Sequence, residues 1–182
     1  MDSINKNQPE KNFKELVGRE AIEKLKEMAK NSTTCFFCTN IKKNKSFATR
    51  PMSVQLVDES GNFWFLSASD SHKNKELTLD DSVQLLFQGS SYSDYLSIYG
   101  KGKITKTKAK IKELWRPILK AWFTEGENDP RITVIKVTPT EGYYWDNKHG
   151  KIISMIKTAV GAMSGKTYDD SIEGPIKVKK PA

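Results

Sequence analysis

Apolar positions change period several times along the chain. Over residues 12–31, Phe13, Leu16, Val17, Ala21, Leu25, Met28 and Ala29 recur at helical spacing, and Asn31-Ser32 supplies a stop. From there the period shortens. Residues 33–39, 46–57 and 62–68 read as strands, the last entered through Ser60-Gly61, a hairpin signal. Residues 83–88 and 95–105 add two more, with Gly100 and Gly102 weakening or bulging the second. Ile111, Leu114, Trp115, Ile118, Leu119 and Trp122 then fall on one helical stripe, which Pro117 interrupts and is expected to kink. After a Gly/Asp/Pro loop, residues 131–138 alternate cleanly as a sixth strand and 141–145 extend the sheet. A last helix is expected over 151–163.

Six or seven short strands at hairpin-like spacing, with helices at the margins, do not fit a doubly wound parallel sheet, in which strands and helices alternate. The pattern predicts a mainly β, α+β fold: a small antiparallel β-barrel flanked by helices. Its expected organisation is an unstructured segment 1–11, one domain over 12–165 and an irregular basic tail over 166–182.

Composition narrows the setting. No apolar run approaches the roughly 20 residues needed to cross a bilayer. The polar opening residues offer no secretory h-region, so a cytoplasmic location is expected. The net charge of +8 gathers in residues 101–120, with eight basic residues against the single acid Glu113. Such a stripe suits nucleic acid or another anion; it equally suits a solvated strand edge and helix face, and lysine predominates over the arginine that reads bases.

The densest chemistry lies in residues 64–73, where an apolar strand runs through a polar turn into a helix start. Ser71 stands at the N-cap, the first backbone N–H groups of the helix lack intrahelical partners, and Lys73 adds a full positive charge. An anion, phosphate above all, suits this end, and the strand before it suits a flat ring. Other candidates are weaker. Cys35 and Cys38 have C-x-x-C spacing but lie in a strand, where three residues of separation point them to opposite faces, so they read as buried thiols rather than a zinc or redox pair. Arg50 beside Pro51 is either a surface residue or a guanidinium meeting a ligand's polar edge. His72 could be a base, but no convergent Ser, Cys or Asp constellation supports a hydrolase, and neither a dinucleotide fingerprint nor a P-loop is present.

Together, Ala48-Thr49-Arg50-Pro51-Met52, the segment ending Ser71-His72-Lys73, Glu76-Leu77, Ala121-Trp122-Phe123, the Gly126/Asp129-Pro130 loop and Tyr144-Trp145 resemble the general stress proteins of the flavin-binding split-barrel group, related to pyridoxamine 5'-phosphate oxidase. The resemblance spans residues 12–165. It implies a six-stranded antiparallel split barrel that dimerises and binds FMN, less often FAD or a deazaflavin, at the subunit interface. It places Leu66 and Ser67 along the flavin ring, Ser71, His72 and Lys73 on the phosphate, and Arg50, Pro51 and Met52 against the ring from a neighbouring strand. Tyr95 stands where the oxidase has a different polar residue reaching the flavin, and Trp122 and Trp145 are candidate contacts from the partner subunit. The oxidase's C-terminal Arg-x-His segment has no counterpart: after Trp145 the chain reads Asp146-Asn147-Lys148-His149, so vitamin B6 oxidation is not expected.

Three functions follow as expectations: a flavin-dependent oxidoreductase of unknown substrate, a flavin-binding stress or sensor module without turnover, and, less well supported, a nucleic-acid-binding barrel. No metal site is expected.

Overall fold

The computed structural model describes residues 11–41, 46–89, 94–148 and 170–178. Among these residues the strands are β1 (Leu16–Val17), β2 (Thr34–Thr39), β3 (Ala48–Ser53), β4 (Leu56–Val57), β5 (Phe63–Ala68), β6 (Ser82–Gln88), β7 (Tyr95–Thr105), β8 (Ile132–Asn147) and β9 (Ser171–Lys177). The helices are α1 (Arg19–Asn31), α2 (His72–Leu79) and α3 (Lys108–Leu114).

Six segments follow one another around a ring. Antiparallel ladders join β3 to β2, β2 to β6, β6 to β7, β7 to β8, β8 to β5 and β5 to β4. By hydrogen bonds the sheet stays open between β3 and β4. Covalently, however, these are one run of chain, which leaves β2 at Ser53 and reaches β5 at Leu56. That run is the sixth member of a split barrel, as expected, but it is two short strands rather than the single strand expected over 46–57. A second split lies along β8. Its first half pairs with β5 (Ile132↔Ala68 to Val137↔Phe63) and its second with β9 (Glu141↔Lys177 to Asn147↔Ser171), while β7 runs along its other edge.

Alternation along the strands builds two apolar clusters. Phe37, Phe63, Phe65, Val83, Leu85, Ile98, Ile135 and Val137 fill the barrel with Leu25, Met28 and Ala29 of α1. Phe37 and Phe65 meet edge to face, with ring centroids 5.2 Å apart. Each such buried side chain contributes about 1.5–3 kcal/mol. The opposite phase of β5 and β8 gives Leu66, Ile132 and Val134 to a smaller cluster under α3, with Ile111, Leu114, Leu119 and Phe123.

Three further expectations need correction. The helix expected over 12–31 begins at Arg19: Gly18, at φ 61°, breaks the chain direction, and Leu16 and Val17 pair in parallel with Ile176 and Lys177. The stripe through Trp122 is not one kinked helix. Arg116, forced into extended conformation (φ −133°, ψ 143°) by the proline after it, ends the path, and a 3-10 turn over Pro117–Ala121 follows, leaving Ile118 and Trp122 exposed. The tail beyond 165 is not irregular throughout, because β9 docks between β8 and β1. The barrel ladders are antiparallel, as expected, and the parallel β1–β9 pair outside them makes the whole sheet mixed. The helix expected over 151–163 lies outside the described residues. Other readings hold: the Ser60-Gly61 turn closes the β4–β5 hairpin, and the β7–β8 register shifts between Tyr99 and Gly100.

Candidate functional site

β5 leads through Ser69-Asp70-Ser71 into α2, and this junction is held by a buried polar ring. The Ser67 hydroxyl donates to Asn74 Oδ1 (2.8 Å), Asn74 Nδ2 donates to Thr133 Oγ1 (2.8 Å), and Thr133 Oγ1 donates to the Ser67 carbonyl (2.9 Å). Ser71 Oγ joins at 3.1 Å from Ser67 Oγ and 3.3 Å from Asn74 Oδ1. Ser71 is the N-cap of α2, but its hydroxyl serves this ring rather than the helix. Its carbonyl instead accepts from the Asn74 and Lys75 N–H groups, so the two ahead of them, of His72 and Lys73, stand at the free end of the helix.

The open side of β5 adjoins this helix start. β4 pairs with β5 at Leu56↔Trp64 and Val57↔Phe63, and Gln55 N–H donates to the Trp64 carbonyl. From Phe65 to Ala68 that edge of β5 meets no strand among the described residues, leaving backbone groups able to bond a planar ligand's edge.

A charged cluster faces the same region from β3. Arg50 donates to Glu76 Oε2 (2.7 Å) and to Thr39 Oγ1 (2.8 Å), and Thr39 Oγ1 donates to Glu76 Oε2 (2.5 Å). Arg50 and Glu76 are largely buried, and Thr39 fully so. Burial, and next the positive charge of Arg50, hold the Lys73 ammonium below its ordinary range, against an opposite pull from Glu76 and Asp70. A phosphate bound beside Lys73 at this helix start would relieve the repulsion that the Arg50 charge exerts on the ammonium.

The other expected site residues divide between this end and the far end of β8. Met52 points inward against the core, while Pro51 is exposed on the outer face beside Phe36. The Leu66 side chain is committed to the cluster under α3, so only its backbone borders the open edge. His72 is exposed. Trp122 is exposed too, yet tied to the junction: its carbonyl accepts from Arg131 (3.3 Å), whose own carbonyl accepts from Ser69 N–H (2.7 Å). Asp129 fixes Arg131 through both carboxylate oxygens. Tyr95 and Trp145 are opposite one another on β7 and β8. They border a cleft of about 520 Å³ with Ile172 and Glu173, and Trp145 packs on Tyr143 at 4.6 Å. Trp145 stands twelve residues beyond Thr133 on β8 (145 − 133), about 40 Å of extended strand. One chain therefore does not bring these aromatics to its own β5–α2 junction.

Asn74, Thr133, Thr39 and Arg131 escaped sequence reasoning. Each is an ordinary polar residue with at least one partner that only folding supplies: Thr133 for Asn74, Ser67 for Thr133, Glu76 for Thr39 and Ser69 for Arg131. Burial pushes the Cys35 thiol up to about 12, and both cysteines are free and buried, in keeping with inert thiols. The basic residues of 101–120 are partly engaged: Lys101 pairs with Asp81, and Lys110 pairs with Glu113 and lies over the Trp64 ring. Among the described residues no group of His, Cys, Asp and Glu could hold a metal ion, and no helix is long and apolar enough to cross a membrane.

Comparison with known proteins agrees with this architecture. The family model described as "Pyridoxamine 5'-phosphate oxidase like" matches residues 20–169. Protein bli-3 of Neurospora crassa is 23% identical over 154 residues, covering 80% of this chain and 74% of its own. Among solved structures, a protein from Jannaschia sp. CCS1 assigned as a general stress protein 26 superposes with a TM-score of 0.72 at 19% identity, over 85% of this chain and 96% of that one. The general stress FMN/FAD binding protein of Xanthomonas citri superposes with a TM-score of 0.60 at 22% identity, over 72% of this chain and 92% of that one.

Proposed function

Because the chain belongs to the pyridoxamine 5'-phosphate oxidase-like family, we propose that it binds FMN at the β5–α2 junction and serves as a flavin-dependent oxidoreductase, working as a homodimer. The observation that carries this reading is the meeting of three features. These are the free start of α2, the Lys73 ammonium with the Arg50 guanidinium close by, and the edge of β5 that meets no strand among the described residues. The FMN/FAD-binding neighbour from Xanthomonas citri supports it independently.

The residues present fit the cofactor. Ser71, His72 and Lys73 would hold the phosphate through backbone N–H groups and the ammonium. Arg50, oriented by Glu76 and Thr39, adds a second charge. The backbone of Leu66 and Ser67 would border the ring, with Pro51 and Met52 beyond it on β3. The flavin, when bound, supplies the two-electron redox chemistry, while the protein orients the ring and excludes water from it. Trp145 at the far end of β8, with Tyr95 opposite it on β7, lies too far away to join this site within one chain; a partner subunit would supply both, with Trp122 a further contact from its exposed turn. Two free, buried cysteines fit a reducing, cytoplasmic setting.

The test is the visible spectrum of the purified protein before and after excess FMN, with unbound flavin removed by gel filtration. Flavin absorbance co-eluting with a dimer, and lost in step with dimer dissociation on dilution, is the expected result. A protein that retains neither FMN nor FAD overturns the flavin reading, and a monomer holding a full complement overturns the interface. Flavin retained without turnover over a panel of electron donors and acceptors would instead mark a binding module.

A further inference from the structure

Helix α2 is anchored in an unusual way. Of its eight residues only Asn74 and Leu77 are buried, and Leu79 is 80% exposed. An ordinary surface helix is seated by a stripe of apolar side chains. Here the first turn, the part nearest the proposed phosphate contacts, is seated by one buried amide. Asn74 is 5% exposed, and both ends of its side chain are used, toward Ser67 and Ser71 on one side and Thr133 on the other. Thr133 closes the ring by donating to the Ser67 carbonyl. Three elements, β5, β8 and α2, thus meet in a buried network whose fixed donor and acceptor directions permit one arrangement. An apolar contact would tolerate sliding.

We infer that Asn74 is a positioning residue that locks the start of α2 to the open edge of β5, so that the phosphate and ring halves of one ligand are recognised at a fixed separation. The inference rests on the flavin reading above. Ser67 belongs to the ring half and Ser71 to the phosphate half, and Asn74 Oδ1 accepts from both hydroxyls. Asn74 itself is buried beneath the turn and contributes no charge. Its effect is therefore felt as a loss of coupling between the halves and not as a loss of attraction for an anion.

The experiment is a fluorescence titration of the full chain with FMN and, separately, riboflavin, which lacks only the phosphate. The wild-type protein is expected to prefer FMN by about 10- to 100-fold, the range of one or two charge-assisted contacts. Asn74→Ala, and the near-isosteric Thr133→Val that leaves α2 itself unaltered, should each lower that preference about fivefold or more, with riboflavin affinity changed no more than about twofold. The salt dependence of FMN binding should persist in both, because Lys73 and Arg50 are intact. General destabilisation would weaken both ligands alike and leave the ratio unmoved. A ratio retained in both variants overturns the positioning role while the flavin reading stands. A wild-type protein that binds both ligands equally overturns the phosphate placement and the positioning role together, and one that binds neither removes the flavin reading and this inference with it.

Discussion

The two ends of β8 make different kinds of surface from one continuous strand. At the Thr133 end the neighbours are short and polar: Ser67, Ser71 and Asn74 are cross-linked, and Arg50 and Lys73 stand close enough for one charge to weaken the other. At the Trp145 end the neighbours are large, with Tyr95 and Ile172 beside Trp145 along a cleft and Tyr143 packed on the Trp145 ring. The first end offers directional bonds and charge, which recognise a phosphate and the edge of a ring. The second offers apolar area, which recognises a ring face. The length of β8 keeps the two ends apart within one chain. A shared ligand would take the polar end from one subunit and the aromatic end from another.

Substitutions can separate the two ends, and the largest effect is expected at the polar one. Lys73→Ala should weaken FMN binding about 10- to 100-fold and flatten its salt dependence, with the fold retained; titration at several ionic strengths checks both. Unchanged occupancy would break the assignment of the polar end. Next is Gly174→Ala. A Cβ there would overlap the Lys14 carbonyl, forcing the chain before β1 away from β9. Denaturant unfolding should show a loss of about 1–3 kcal/mol, with the FMN-over-riboflavin preference intact because the β5–α2 junction is remote. The smallest effect is that of Tyr144→Phe, which removes a hydroxyl donating to the Lys14 carbonyl at 3.0 Å and costs about 1 kcal/mol near neutral pH.

Tyr144 also sharpens the contrast through pH. Burial pushes its hydroxyl up to about 12 from 10.0. A raised folded pKa gives a contribution fully present below pH 10 and lost as pH climbs toward 12, and the phenylalanine variant should lack that alkaline loss. Lys73 has the opposite sign: its lowered pKa is a cost at neutral pH that diminishes as pH rises through the folded value toward 10.5. Unfolding curves collected up the alkaline range on wild type and the Tyr144→Phe variant distinguish these contributions.

Much of the barrel was legible because its signals are local. The Ser60-Gly61 hairpin and the whole of β7 follow from turn chemistry and alternation within a dozen residues. The turn from β5 into α2, with Ser71 as its N-cap, was legible for the same reason, since its parts are contiguous. What escaped depends on distant partners. Gly174 and Pro175 interrupt any strand pattern in β9, which exists because β8 and β1 flank it. Phe13, Leu16 and Val17 satisfy helical spacing, yet Leu16 and Val17 are claimed by β9 and Phe13 by a bridge to Glu173. Asn74 and Thr133 have nothing distinctive until folding sets them 2.8 Å apart. The separation of Tyr95 and Trp145 from Ser67 was likewise hidden, because it follows from pairing along β8 and not from order in the sequence.

The parallel pairing of β1 with β9 has a kinetic consequence. Leu16 meets Ile176 across 160 positions (176 − 16), so this contact closes a very long loop. Loop closure of that size is slow relative to hairpins such as β4–β5, and on a ribosome it must wait until residue 177 has emerged. The ring of six segments has all its partners earlier and can assemble first. β1 and β9 then join as a late clasp over a barrel already formed, and the same clasp is the part expected to open first in native-state hydrogen exchange. The aromatic end, resting on β9, would thus be the last part of the molecule completed and the first released, while the polar end keeps its shape throughout.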